Sequence, residues 1–158
     1  MILHHGSNVV VKNIDLSKSK PFKDFGKAFY LSENIEQAKE MGKSKVALFG
    51  GNIIVSSFQF DESILESQEL NIKIFNEYNE EWADFIFHNR DKKNEEFSHN
   101  YDIVYGPIAN DNIGNQIFRY KEGYISFEDF IHNLKYKEGA TFQYAFCTEL
   151  AISKLKRV

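Results

Sequence analysis

Short runs of alternating apolar and polar residues recur along the chain and predict strands. In one of them Ile54, Ser56, Phe58 and Phe60 fall on the same side. The predicted strands cover residues 1–5, 29–32, 52–60, 101–105 and 141–147. The β-favouring residues 9–11 continue the first strand, and the Gly-Pro pair at 106–107 ends the fourth.

Helical spacing of apolar residues predicts helices between these strands. The clearest runs from Glu80 to Arg90, where acidic residues occupy the first turns and one face carries Trp82, Phe85, Ile86 and Asn89. Asn34 begins a shorter helix with the spacing of a capping box, and this helix is expected to end at Gly42. Further helices are expected at residues 110–120, at residues 126–136 and after Thr148.

The order of these elements lacks the regular strand–helix–strand alternation of a doubly wound sheet. We therefore predict an α+β fold with largely antiparallel pairing, in a single domain over residues 1–158. A chain of 158 residues can bury about two thirds of its unfolded surface, so it needs no disulfide or metal to fold. Fifteen Phe and eight Tyr against only two Pro favour ordered sheets with aromatic faces.

Charge and cysteine content narrow the functional classes. The formal net charge of -4 gives no broad electrostatic footprint for nucleic acid. Cys147 is the single cysteine and the five His are scattered, which argues against a disulfide and against a metal site. There is no signal-peptide pattern and no apolar run of the roughly 20 residues that span a bilayer, so the cytoplasm is the expected location and no membrane partner is expected.

Two segments combine residue types that suit a ligand site: Leu-His-His-Gly-Ser at 3–7 and Gly-Lys-Ala-Phe-Tyr-Leu-Ser at 26–32. In the second, Gly26 provides backbone that a ligand can approach, and Tyr30 and Ser32 share one face of the strand. Without further context His5 fits a strand-end imidazole with one hydrogen bond, and Tyr30 fits a half-buried core position. The two interpretations of each residue, structural and ligand-binding, remain open on pattern alone.

As an ordered pair, the two segments resemble the signature motifs of the histidine-tyrosine branch of the ADP-ribosyltransferase superfamily. Within that branch the chain is most similar to a small, largely uncharacterised bacterial transferase-like family, a domain of unknown function. Residues 89–90 and 102–111 are similar to the same family. The resemblance implies two small, mostly antiparallel sheets that form an NAD cleft with flanking helices.

The resemblance also implies roles for individual residues. His5 would donate a hydrogen bond to the adenosine-side ribose of NAD, Gly6 would lend its backbone to the nicotinamide amide, and Ser7 would lie near the other ribose. Tyr30 would stack on nicotinamide, with a cation–π attraction on the order of 1 kcal/mol. Ser32 and Gly26 would assist NAD binding.

A third signature position departs from the pattern of most active members. Those members carry a Glu on a late strand, where Gln143 stands here. An amide can orient a ribose but lacks the charge that stabilises an oxocarbenium-like transition state. Gln also occurs at this place in the similar bacterial family. Glu149 is the nearest carboxylate in sequence and is better explained as a first-turn dipole partner of a helix.

Other residues keep two interpretations. Arg90 and Asp102 are either members of structural ion pairs or helix-end contacts, or they line the site. Cys147 is better explained as a small core residue than as a nucleophile, since no His in its sequence context would activate it.

The function that the resemblance implies is NAD-dependent mono-ADP-ribosyl transfer, with His5, Tyr30 and Gln143 as catalytic residues and NAD as co-substrate. The acceptor is left open among protein, nucleic acid and small molecule. A bacterial toxin or effector role, with an inhibitory antitoxin-like protein as partner, is also implied. The alternatives are a non-catalytic NAD or ADP-ribose-binding module and an NAD glycohydrolase.

Overall fold

A computed structural model of the chain describes residues 1–109, 112–134 and 141–158. In chain order its strands and helices are β1 (Ile2–Ser7), β2 (Phe29–Leu31), α1 (Ile35–Phe49), β3 (Ile54–Gln59), β4 (Ile72–Ile74), α2 (Glu80–Arg90), β5 (Ile103–Pro107), α3 (Ile113–Lys121), α4 (Phe127–Leu134), β6 (Phe142–Phe146), α5 (Glu149–Ile152) and β7 (Lys156–Arg157). The architecture is α+β, as the element order predicts.

The strands form two small sheets. The three-stranded sheet has the order β1-β3-β7, and the four-stranded sheet has the order β2-β6-β5-β4. Every pairing is antiparallel except that of β4 with β5. The prediction of largely antiparallel pairing is therefore confirmed.

Two hydrophobic cores cover the faces of the four-stranded sheet. The inter-sheet core lies between the two sheets and contains Leu3 and Phe58 from one sheet, with Phe29, Leu31 and Phe146 from the other. On the opposite face, helices α2, α3 and α4 bury the helix-side core, whose largest fully buried side chain is Trp82. Because successive side chains of a strand point to opposite faces, one short strand such as β2 contributes to both cores.

Three helices begin at the capping residues that the sequence predicts. The Asn34 side chain accepts hydrogen bonds from the first amides of α1, Ser126 Oγ accepts from the Asp129 amide before α4, and Thr148 caps α5. Such caps satisfy backbone donors that a helix start leaves free. The parts of the predicted helices at residues 110–111 and 135–136 lie outside the described residues.

Three predicted boundaries are wrong. Helix α1 continues through Gly42 to Phe49, because Gly42 contacts β1 in the middle of the helix instead of ending it. Strand β5 continues through Gly106 and Pro107, which pair with β6; proline is tolerated there as the last residue of its strand. Strand β1 ends at Ser7, and the valines at 9 and 10 are exposed.

Candidate functional site

The two sheets meet where β1 lies along the free edge of β2. The amide of His4 donates to the Ser32 carbonyl at 2.8 Å, and the Ser32 amide donates back to the His4 carbonyl at 2.9 Å. We call the line formed by His4, His5, Tyr30 and Ser32 the β1–β2 seam. It brings the first two predicted ligand-binding segments into direct contact.

His5 is fixed on this seam by its own ring. Its Nδ1 lies 2.8 Å from the Tyr30 carbonyl oxygen, and the ring stacks on Phe29 with 4.3 Å between centroids. Burial lowers the pKa of His5, and the positive charge of Lys45 lowers it further, against the opposing effect of the Tyr30 carbonyl. Since a carbonyl only accepts, Nδ1 carries the proton of a neutral imidazole and Nε2 presents a lone pair. His5 is thus built to accept a hydrogen bond at Nε2, whereas the resemblance implies a donor.

Tyr30 uses its hydroxyl inside the protein. The hydroxyl donates to the Gly26 carbonyl at 2.7 Å and accepts from the Phe25 amide at 3.0 Å. Burial, followed by the negative charge of Asp24, raises the pKa of Tyr30 well above its ordinary value, so the phenol stays protonated. Tyr30 packs against the helix-side core and, as a residue, is only partly buried. Any role of Tyr30 toward a ligand therefore belongs to its ring and not to its oxygen.

Gly26 closes the turn that precedes β2. Its φ of +80° lies in the region that side chains other than hydrogen rarely adopt, and its amide donates to the Lys23 carbonyl at 3.0 Å. A Cβ at this position would lie 3.4 Å from His99 Nε2 and 3.6 Å from Ser98 Oγ. In the structure the 98–99 segment approaches Gly26.

Gly6 is likewise approached by protein. A Cβ on Gly6 would lie 1.6 Å from the Ala38 carbonyl oxygen, and one on Gly42 would lie 3.4 Å from the backbone of Ser7. The two glycines let α1 pack backbone to backbone on β1. Ser7 itself is 7% exposed, which leaves its hydroxyl little contact with solvent.

Gln143 lies on β6, two residues before Ala145 of the helix-side core, and strand alternation directs both side chains to that face. It is 4% exposed. Tyr30 pairs with Ala145, so Gln143 is a diagonal neighbour of Tyr30 at about 7–8 Å between Cα atoms. Tyr30 and Gln143 therefore share one face of the sheet.

The strands that carry the predicted site residues lie next to one another, but the side chains of these residues do not line one open cleft. His5 stacks on Phe29, which belongs to the inter-sheet core, whereas the Tyr30 ring and Gln143 lie on the helix side. Apolar side chains fill the space between the two sheets. Ser32 is 1% exposed, and its hydroxyl accepts from the Asn34 amide at the start of α1.

One carboxylate that the sequence reasoning missed borders this region. Glu33 accepts a hydrogen bond of 2.9 Å from the Tyr144 hydroxyl. It contributes to a cavity of about 220 Å³ lined by Ser32, Glu33, Asn34, Tyr105, Thr141 and Phe142. The available signal was its position directly after the second motif. Glu149, by contrast, occupies the first turn of α5, as expected.

The remaining candidates have structural contacts. Arg90 holds Asp24 through Nε at 2.7 Å and Nη2 at 2.6 Å. Asp102 accepts from Thr148 Oγ1 and from the Asn71 amide, which connects the start of β5 to α5. Burial raises the pKa of Cys147 to about 12, so its thiol is protonated in the core at neutral pH. These contacts favour the structural interpretation of Asp102 and Cys147.

A second cavity, of about 280 Å³, lies beside the 98–99 segment and is lined by Lys27, Phe97, Ser98, His99, Asn100, Tyr101, Cys147 and Thr148. His99 donates a hydrogen bond from Nε2 to the Phe25 carbonyl at 2.8 Å, and its Nδ1 accepts one from the Tyr101 amide. No local sequence pattern indicates this link, which joins residues 74 positions apart.

Among the described residues no helix has the length and apolarity to cross a membrane.

A comparison with protein families places the chain. A family model described as a protein of unknown function (DUF3990) matches residues 1–157. The chain belongs to the DUF3990 family. No curated protein and no solved structure matches it. Membership of DUF3990 thus covers the β1–β2 seam and Gln143 together, and the function has to be argued from the site.

Proposed function

We propose that this DUF3990 protein is an NAD-dependent mono-ADP-ribosyltransferase. The observation that carries the proposal is the direct contact of His5 Nδ1 with the Tyr30 carbonyl, which joins the two motifs that resemble those of ADP-ribosyltransferases. The partial exposure of Tyr30 and the position of Gln143 on the same sheet face support it. NAD would lie along the β1–β2 seam, since the space between the sheets is filled.

Each side chain has a defined task in this proposal. His5 Nε2 accepts a hydrogen bond from a hydroxyl of the adenosine-side ribose, because only its lone pair is free. The Tyr30 ring stacks on nicotinamide. The Gln143 amide hydrogen-bonds the 2′-hydroxyl of the nicotinamide-side ribose and holds that sugar in position.

The chemistry is a substitution at the anomeric carbon of that ribose. The bond from this carbon to the nicotinamide nitrogen breaks, its electron pair leaves with nicotinamide, and an acceptor nucleophile forms the new bond and releases a proton. Gln143 supplies orientation without charge, which limits stabilisation of the cationic sugar. That limit favours, as second candidate, a module that binds NAD or ADP-ribose without turnover.

The test incubates the protein with NAD labelled in the adenylate half and follows nicotinamide release, label transfer to a lysate and NAD binding. His5→Asn keeps a donor for the Tyr30 carbonyl and removes the Nε2 lone pair. Its matched control is His4→Asn, because His4 joins the seam only through its backbone and its ring points to the opposite face of β1 from His5, with Nδ1 2.8 Å from Ser57 Oγ. Gln143→Glu adds the absent charge and is expected to accelerate nicotinamide release on the order of ten-fold or more.

The outcomes separate the candidates. Label transfer that is lost in His5→Asn and kept in His4→Asn supports the transferase, and mass spectrometry of the labelled product identifies the acceptor class. Saturable NAD binding without nicotinamide release supports the binding module, and nicotinamide release with water as sole acceptor supports an NAD glycohydrolase. Absence of NAD binding at millimolar concentration refutes all three.

A further inference from the structure

The turn that precedes β2 begins with Lys23 and Asp24, and Arg90 forms an ion pair with Asp24. The charges of Lys20, Lys45 and Arg90 act on Lys23, and we call Lys20, Lys23, Lys45 and Arg90 the basic cluster. The chain as a whole has a formal net charge of -4. A local excess of positive charge on an acidic protein marks a place where an anion is attracted.

Two lysines of the cluster lie near the same aromatic ring, that of Phe49. Lys20 Nζ and Lys45 Nζ each lie 5.9 Å from the centroid of Phe49, at the C-terminal end of α1. Arg90 occupies Asp24 through two nitrogens. Asp24 is thereby paired with Arg90, and no ion pair with a described carboxylate holds any of the three lysines.

The other two lysines of α1 each form an ion pair with a glutamate of the same helix, unlike the lysines of the basic cluster. Lys39 bonds Glu36 at 2.6 Å and Lys43 pairs with Glu40. None of the three cluster lysines forms an ion pair with a described residue. Partial burial lowers the pKa of Lys23, and the charges of Lys45, Arg90 and Lys20 lower it further, with only Asp24 opposing. Mutual repulsion of this kind is relieved when an anion binds.

The cluster borders the β1–β2 seam. Phe25, which follows Asp24, donates its amide to the Tyr30 hydroxyl at 3.0 Å, and Lys45 belongs to α1, which packs on β1 at Gly6. The proposed function assigns His5 to one ribose of NAD and Gln143 to the other. The diphosphate of a dinucleotide connects its two riboses, so it must lie within one sugar of each of these residues.

We propose that the basic cluster binds the diphosphate of the dinucleotide, with Lys20, Lys23 and Lys45 as its direct ligands and Arg90 holding Asp24 away from it. The inference rests on the proposed function. Lysine suits the task because its ammonium is a point charge on a flexible stem that can adjust to either phosphate. The pairing is electrostatic and weakens as salt increases.

The experiment compares two triple variants of equal charge change by isothermal titration. One replaces Lys20, Lys23 and Lys45 by Met, and the matched control replaces Lys18, Lys39 and Lys43 by Met. The probes are inorganic pyrophosphate, ADP-ribose, adenosine and a single-stranded oligonucleotide, with a thermal melt to verify folding. We expect the cluster variant to bind pyrophosphate and ADP-ribose at least ten-fold more weakly than the control variant does, with adenosine binding unchanged.

The result separates this inference from the proposed function. Equal binding of ADP-ribose by the two triple variants refutes the diphosphate site, even if the protein consumes NAD. Cluster-dependent pyrophosphate binding in a protein that neither binds nor consumes NAD keeps the anion site and refutes the transferase. A single-stranded oligonucleotide that binds the cluster more tightly than ADP-ribose refutes the dinucleotide and indicates a nucleic-acid phosphate instead.

Discussion

The Tyr30 hydroxyl offers a sharp test of how the site is held together. Tyr30→Phe keeps the ring but removes the donor to the Gly26 carbonyl and the acceptor of the Phe25 amide. Both backbone groups belong to buried residues. Losing a net hydrogen bond costs about 1 kcal/mol, and a buried group left unpaired costs about 1–3 kcal/mol. We expect the free energy of unfolding to fall by roughly 2–3 kcal/mol.

For a chain of 158 residues this corresponds to a loss of about 4–12 °C in Tm. Urea unfolding followed by far-UV circular dichroism measures the free energy, and a thermal scan measures Tm. The control is Tyr124→Phe, because Tyr124 is 69% exposed and its hydroxyl can bond water. NAD affinity per folded molecule should be nearly unchanged in Tyr30→Phe and lost in Tyr30→Ala. A Tyr30→Phe protein as stable as the Tyr124→Phe control would refute the assigned hydrogen bonds.

Two further predictions concern packing and pH. Gly6→Ala places a Cβ 1.6 Å from a backbone oxygen of α1 and should destabilise by about 3 kcal/mol or more in urea unfolding, whereas Gly114→Ala, with no atom within 4 Å, should stabilise by about 0.5–1 kcal/mol. Burial, with a smaller effect of His88, lowers the pKa of His99, so the unfolded chain takes up a proton first and stability should fall as pH drops below about 6.5. His99→Gln, which can still donate to the Phe25 carbonyl, should show a shallower loss between pH 7 and 5.5.

Each of these has a contradicting result. Equal stability of Gly6→Ala and Gly114→Ala would mean that α1 does not contact β1 as described. A pH slope of unfolding free energy that is identical in His99→Gln and in the wild-type protein would remove His99 as a source of acid sensitivity, and would leave His5 as the other imidazole whose pKa burial lowers.

Elements set by local chemistry were predictable from the sequence. The caps at Asn34 and Thr148 and the helical face of Trp82 depend on residues within one or two turns, so the pattern contains the information. Strand β4 has three residues and exists through its pairing with β5, some thirty positions later. Strand β7 has two exposed residues. Both strands are too short for their hydrophobic pattern alone to predict a strand.

In the candidate site, too, some features are predictable from the sequence and others depend on contacts formed only in the folded chain. The motifs gave the identity and order of His5, Tyr30 and Gln143, and strand alternation gave the shared face of the last two. The tautomer of His5 and the internal use of the Tyr30 hydroxyl depend on atoms that fold next to them. The helix end that the pattern predicts at Gly42 is wrong, because Gly6 and Gly42 let α1 pack on β1, a contact between segments more than thirty residues apart.

The pairing of β2 with β6 has a consequence for biosynthesis. The Tyr144–Glu33 hydrogen bond spans 111 positions, and the pairing of Tyr30 with Ala145 spans slightly more. Because a ribosome delivers the chain from its amino end at about 5–20 residues per second, the nascent polypeptide presents both motifs for seconds before their partner strand emerges. A translation product that stops before β6 therefore carries both motifs without the strand that pairs with β2, and the four-stranded sheet can form only after β6 has emerged.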